Sequence, residues 1–152
     1  MTTFRALYPS ELTSVAQARQ AVSAFACRCG FCGVDVADIA LAVGEACNNA
    51  VEHGHVDRGH FCVICDYDGG VLRVEIQDDG PGFDAAAAAV VVSAPDVMGR
   101  GRGISIMRAI TDCVTLTTGQ SGTKVVFEKR NSASRLRETL SESGRFQASS
   151  FG

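Results

Sequence analysis

Glu45 and Asn49 stand four residues apart in the stretch Leu-Ala-Val-Gly-Glu-Ala-Cys-Asn-Asn-Ala-Val-Glu-His-Gly, residues 41–54. On a helix that spacing puts one above the other on a single face. Glu45 is an acceptor that can take a proton, and Asn49 is a neutral amide whose carbonyl oxygen can bind a hard cation. Taken alone, the pair reads as a solvated polar face. Three further groups follow it. The alternating run Val74–Gln77 leads straight into Asp78-Asp79-Gly80-Pro81-Gly82-Phe83, an Asp-x-Gly-x-Gly pattern. Gly80 and Gly82 let a backbone approach a ligand closely. Gly99-Arg100-Gly101-Arg102-Gly103 then opens a helical run, and Gly122-Thr123 opens the last strand pattern. Bare amides at the start of a helix, with the positive end of its dipole, make an anion site suited to phosphates. Arg100 and Arg102 can add a phosphate contact there or remain solvated. The loop is not a Walker A loop, since no Gly-Lys-Ser/Thr follows, and not a Rossmann turn, since no strand leads directly into it.

In this order and in one domain, Glu-x3-Asn, Asp-x-Gly-x-Gly, Gly-x-Gly and Gly-Thr resemble the N, G1 and G2 boxes of the GHKL ATPases. Together with the length, the form Gly-Arg-Gly-Ile-Ser-Ile-Met at residues 101–107 is similar to the stand-alone anti-sigma factor serine kinases of bacteria. The resemblance covers roughly residues 5–130. It implies an α+β Bergerat fold, a two-layer sandwich whose mixed, mostly antiparallel sheet carries its helices on one face. It implies ATP and Mg²⁺ as ligands, with Asn49 holding the metal and Glu45 orienting or deprotonating the attacking hydroxyl. Asp78 would accept a hydrogen bond from the adenine amino group, which favours adenine over guanine, and Thr123 would lie near the base. Gly80, Gly82, Arg100, Gly101, Arg102 and Gly103 would line the nucleotide. The implied partners are a sigma factor and a STAS-type anti-anti-sigma protein whose serine is phosphorylated, with the kinase working as a homodimer. A non-catalytic ATP-binding switch that only sequesters its partner is the alternative.

Composition bounds these readings. At 152 residues the chain is expected to form one domain over 1–130, followed by a flexible Ser/Arg-rich tail over 131–152. A net charge of −3 supplies no field to attract nucleic acid or an anionic membrane. No apolar run is long enough for a membrane span and no signal-peptide pattern opens the chain, so a cytoplasmic protein is expected. Seven cysteines, an odd number, argue for reduced thiols rather than a disulfide framework. Cys27, Cys29 and Cys32 cluster, and Cys62 and Cys65 make a Cys-x2-Cys within a strand pattern, with His53, His55 and His60 between the groups. The spacing lacks two zinc knuckles, and the cysteines read chiefly as small buried hydrophobes.

The elements needed to position these groups are legible as patterns. Thr3–Tyr8 alternates as a strand ended by Pro9. A helix from about Glu11 to Cys29 starts at Ser10 and stops near Gly30. Asp35 is the expected N-cap of the next helix, which runs to His53 and ends at Gly54. Phe61–Tyr67 and Val71–Gln77 form a hairpin across Asp68-Gly69-Gly70. The Ala/Val-rich run Asp84–Met98 reads as a mobile flap. Arg102–Asp112 is a helix, and Cys113–Thr118 and Thr123–Lys129 form a second hairpin. In the tail, only residues 134–140 suggest a short helix. Gly44 inside the key helix costs about 1 kcal/mol against alanine; close packing to a nucleotide would account for it.

Overall fold

The computed structural model describes residues 1–53, 59–79, 101–119 and 122–148, and for residues 101 and 144–148 the backbone only. Gly54, the loop 55–58, Gly80, Pro81, Gly82, Phe83, the Ala/Val-rich run 84–98, Gly99 and Arg100 lie outside the described residues. In chain order the elements are β1 (Thr2–Pro9), α1 (Leu12–Arg28), α2 (Gly33–His53), β2 (His60–Asp68), β3 (Val71–Asp78), α3 (Gly101–Ile110), β4 (Cys113–Gly119), β5 (Gly122–Arg130) and α4 (Ser132–Ala148). The five strands form one sheet in the order β1-β2-β3-β5-β4.

The strands alternate because the sheet is covered on one face. Phe61, Val63 and Cys65 of β2, Leu72, Val74 and Ile76 of β3, and Val125 and Phe127 of β5 are buried at every second position. Against them pack Val15, Ala18, Val22, Phe25 and Ala26 of α1, Ile39, Ala42, Val43, Ala46, Cys47 and Ala50 of α2, and Ile104 and Met107 of α3. This is the two-layer α+β sandwich that the motif order implies. Every described pairing is antiparallel, so the sheet is not mixed. The chain crosses from β3 through α3 to β4 and then returns as β5 between them. β3 and β4 therefore run parallel but never touch, because β5 separates them.

Two helix starts differ from the sequence pattern. The N-cap of α1 is Glu11, not Ser10. The N–H of Ser10 donates to the Gly59 carbonyl at 2.9 Å, which continues the pairing of Pro9 with His60 and holds Ser10 in the strand connection. Asp35 does not cap α2; it lies inside the first turn, at 7% exposure, and its carboxylate accepts the N–H of Ser132 at 2.9 Å and the hydroxyl of Ser132 at 2.8 Å. The tail beyond Arg130 forms α4, longer than the short helix its pattern suggests. Asn131 explains why it starts there. Its Oδ1 accepts the Ala133 N–H as an N-cap, its Nδ2 donates to the Gly30 carbonyl, and its own N–H donates to Gly70.

Candidate nucleotide site

The site is built on α2 and α3, which a half-buried cation ties together. Lys129, at the end of β5, donates at 2.7 Å to Asp38 Oδ2 in the first turns of α2 and at 2.7 Å to the carbonyl of Ile110, the last residue of α3. The start of α2 and the end of α3 thus meet over one end of β5. From Asp38 to Asn49 a helix rises about 16 Å, and from Lys129 back to Thr123 a strand spans about 20 Å. The C-terminal half of α2, the first turn of α3 and the start of β5 therefore lie at the same end of the domain.

At that end the separate motifs converge. A Cβ on Gly103 would come within 3.0 Å of Glu45 Oε2 and 3.9 Å of Asn49 Nδ2. The first turn of α3 thus lies directly against the α2 pair at Gly103. The positive end of the α3 dipole accordingly faces a carboxylate and an amide, an arrangement favourable to the carboxylate itself and to incoming anionic groups. Glu45 and Asn49 are half-buried, whereas Arg102 is exposed and Gly101 is the first residue of α3. Of the neighbours easily confused with the pair, Glu52 is exposed with its Oε2 3.7 Å from His53 Nε2, and Asn48 is half-buried.

A second cluster closes the strand ends. Asp78, the last residue of β3, is 3% exposed, and its Oδ1 accepts the backbone N–H of Thr123 at 3.2 Å. Gly122, with φ at +116°, brings β5 so close that a Cβ there would be driven into the Asp78 carbonyl oxygen. The structure thus joins Asp78 to Thr123, and Glu45 and Asn49 to Gly103. Gly80, Gly82 and Arg100 fall outside the described residues.

Two residues at this end escaped the motif reading. Thr118 of β4 sits opposite Thr123, at 6% exposure, with the two Oγ1 atoms 3.3 Å apart. Its signal was the alternation Val114, Leu116, Thr118, which turns it to the covered face. Arg19 of α1 is the other. A Cβ on Gly44 would meet Arg19 Cδ at 3.1 Å, so Gly44 accommodates this side chain on the α1 side of the helix, and packing against a nucleotide is not needed to explain it.

The cysteines divide by environment. Cys47 and Cys65 are the buried hydrophobes expected, and burial pushes each thiol from 9.0 up to about 12. Cys29 is half-buried and packs against the core, whereas Cys27, Cys32 and Cys113 are exposed and Cys62 is half-buried, so for these four the expectation of burial fails. Their elements explain it: Cys27 is on the solvent side of α1, Cys32 precedes α2, Cys62 alternates onto the uncovered sheet face, and Cys113 starts the edge strand β4. Among the described residues no group of three His, Cys, Asp or Glu side chains is arranged to hold a metal, and no helix is long and apolar enough to cross a membrane.

An anti-sigma F factor of Clostridium acetobutylicum is 29% identical over 118 residues, 74% of this chain and 82% of that protein. A serine-protein kinase RsbW of Bacillus velezensis is 36% identical over 78 residues, 50% of this chain and 49% of that protein. The crystal structure of the RsbU and RsbW domains of a Mycobacterium tuberculosis protein superposes with a TM-score of 0.67 at 20% identity, covering 86% of this chain and 33% of that one, which bears on the fold alone. The histidine kinase-like ATPase domain matches residues 8–129, from the last residues of β1 to the end of β5, and the chain belongs to that ATP-binding family.

Proposed function

We propose that this protein is an ATP-dependent serine kinase and anti-sigma factor, which binds a sigma factor and phosphorylates a serine of a STAS-type anti-anti-sigma protein. The observation that carries the reading is the closure of Gly103 on Glu45 and Asn49 at the end of the domain where Asp78 and Thr123 meet. The names of the two relatives support the choice of partner class. On this reading the protein acts as a homodimer in the cytoplasm.

Phosphoryl transfer asks little covalent chemistry of a protein; it asks for placement, charge neutralisation and a nucleophile relieved of its proton. Asp78 accepts the adenine amino group, with Thr123 beside the base. The amides at the start of α3, with Arg102 in reach of the same region, take the phosphates. The donor set also fits Mg²⁺, which prefers oxygen, keeps several waters and is commonly held by one or two side chains plus substrate phosphates rather than by a protein cage. Asn49 would hold it through its amide oxygen, and the ion would neutralise phosphate charge. Glu45, one turn earlier, accepts the proton of the attacking serine hydroxyl. The serine oxygen bonds to the γ-phosphorus, the bond to the β–γ bridging oxygen breaks, and ADP leaves.

The test is transfer of labelled γ-phosphate from Mg-ATP to a STAS protein of the source organism. Wild type should transfer, and Glu45→Ala should lower the rate at least about 100-fold, the usual worth of a general base, with ADP affinity nearly unchanged. Intact nucleotide binding without transfer to any STAS partner would leave a nucleotide-dependent binding protein instead. Normal transfer by the variant would remove Glu45 from the chemistry.

A further inference from the structure

We propose that Lys129, which lies outside the nucleotide site, is a positioning residue for the phosphates. It fixes how far α3 stands along α2, and so where the amides of the first turn of α3 meet Glu45 and Asn49. This rests on the reading of those amides as the phosphate seat of an ATP site.

α2 and α3 lie antiparallel and are joined at two levels. At the site end, Gly103 lies against Glu45 and Asn49. Asp38 stands seven residues before Glu45 on α2, and Ile110 stands seven residues after Gly103 on α3. Both intervals are about two turns, or about 10 Å of helix. Lys129 closes the far level. Its Nζ donates at 2.7 Å to Asp38 Oδ2 and at 2.7 Å to the Ile110 carbonyl, with Asp35 Oδ1 3.9 Å away. A helix is stiff over two turns, so a slide of α3 along α2 at the Lys129 level reaches Gly103 undiminished.

The far level has the chemistry to set that slide. The carbonyl of Ile110 is among the last of α3, which have no partner within the helix. An ammonium there meets the negative end of the α3 dipole, while Asp35 and Asp38 meet the positive end of α2. The side chains of Lys129 and Asp38 are 14% and 22% exposed, so water replaces these bonds poorly. Hydrogen bonds have direction and a short reach. Ile104 and Met107 keep α3 on the sheet by apolar contact, which is non-directional and fixes its place along α2 less sharply. Bonds from amides to phosphate are equally short in reach, so the phosphates feel the slide and the base, held at the strand ends, does not.

The experiment titrates Mg-ADP and adenosine, the latter also by competition, into wild type, K129M, D38A and N131A, each well below its thermal midpoint. The two ligands share base and ribose and differ only in phosphate. In K129M the ADP-to-adenosine affinity ratio should fall about tenfold, the worth of a hydrogen bond to a charged group, with adenosine affinity within about twofold of wild type. D38A cuts the bond to α2 and leaves the cation on Ile110; the ratio should fall about threefold. The bonds of Asn131 reach neither Asp38 nor Ile110, so N131A lowers stability and should keep the wild-type ratio. A wild-type ratio in K129M would overturn the inference, because the phosphates would then be held without the clamp. An equal fall in N131A would overturn it too, because loss of stability alone would then move the ratio. Should K129M not fold, D38A against N131A decides in the same way. Wild type that binds neither ligand, or binds ADP no more tightly than adenosine, sinks the underlying ATP reading, and this inference with it.

Discussion

At the scale of single residues, the site depends on glycines placed where a side chain would separate its parts. Gly122 is the sharpest case. Its φ of +116° is a conformation L side chains rarely adopt, and a Cβ there meets the Asp78 backbone, which cannot swing aside. Gly122→Ala should destabilise the fold by about 1–3 kcal/mol and loosen the Asp78–Thr123 contact. The measurement is the urea midpoint alongside ADP affinity. A variant of wild-type stability with intact binding would show that β5 does not need this close approach. Gly103 works differently, since the atom facing it is the end of the Glu45 side chain.

At the scale of elements, α2 and α4 carry the next two expectations. Gly44 lies inside α2 against Arg19 of α1, where a Cβ would come to 3.1 Å of a carbon in an exposed, flexible side chain. Arg19 can shift by a few tenths of an ångström, whereas alanine gains up to about 1 kcal/mol of helix propensity over glycine. Gly44→Ala should therefore raise the thermal midpoint by a few degrees; a lower midpoint would mean that Arg19 is held in place. Asn131 joins the start of α4 to the turns at Gly30 and Gly70. Asn131→Ala removes a cap and a buried hydrogen bond and should cost about 1–3 kcal/mol, with a loss of helical circular dichroism from α4. Nucleotide affinity should hold, because this junction adjoins the start of α2 rather than Glu45 and Asn49. Unchanged stability would contradict the anchoring of α4 through Asn131.

At the scale of the whole molecule, two thiols in the core link folding to pH. Burial raises Cys47 and Cys65 from 9.0 to about 12, so the folded chain keeps protons that the unfolded chain releases first. Stability from these groups is intact below about pH 9 and is lost as pH climbs toward about 12. The unfolding midpoint should fall steadily from about pH 9 to about pH 10.5, and less steeply in Cys47→Ala, which removes one of the two groups. Equal slopes in the two proteins would show that Cys47 does not contribute.

The sequence by itself determined the element order, the inward faces of the strands and most of the nucleotide motifs. These are local matters. A two-residue or 3.6-residue hydrophobic period records which face of an element is covered, and Glu45 and Asn49 are paired by helical pitch alone. Ser10 and Asp35 have the form of caps in the sequence, but their partners, Gly59 and Ser132, lie far along the chain. The tail reads as polar because it packs little, and α4 starts where long-range bonds to Asn131 and Ser132 hold its first turn. Only the tertiary structure decided that Gly103 closes on Glu45, that Thr118 stands beside Thr123, and that Gly44 answers to Arg19 rather than to a ligand. Each of those is a contact between separate elements. Its partner is set by strand order and helix packing, and neither leaves a period or spacing in the chain.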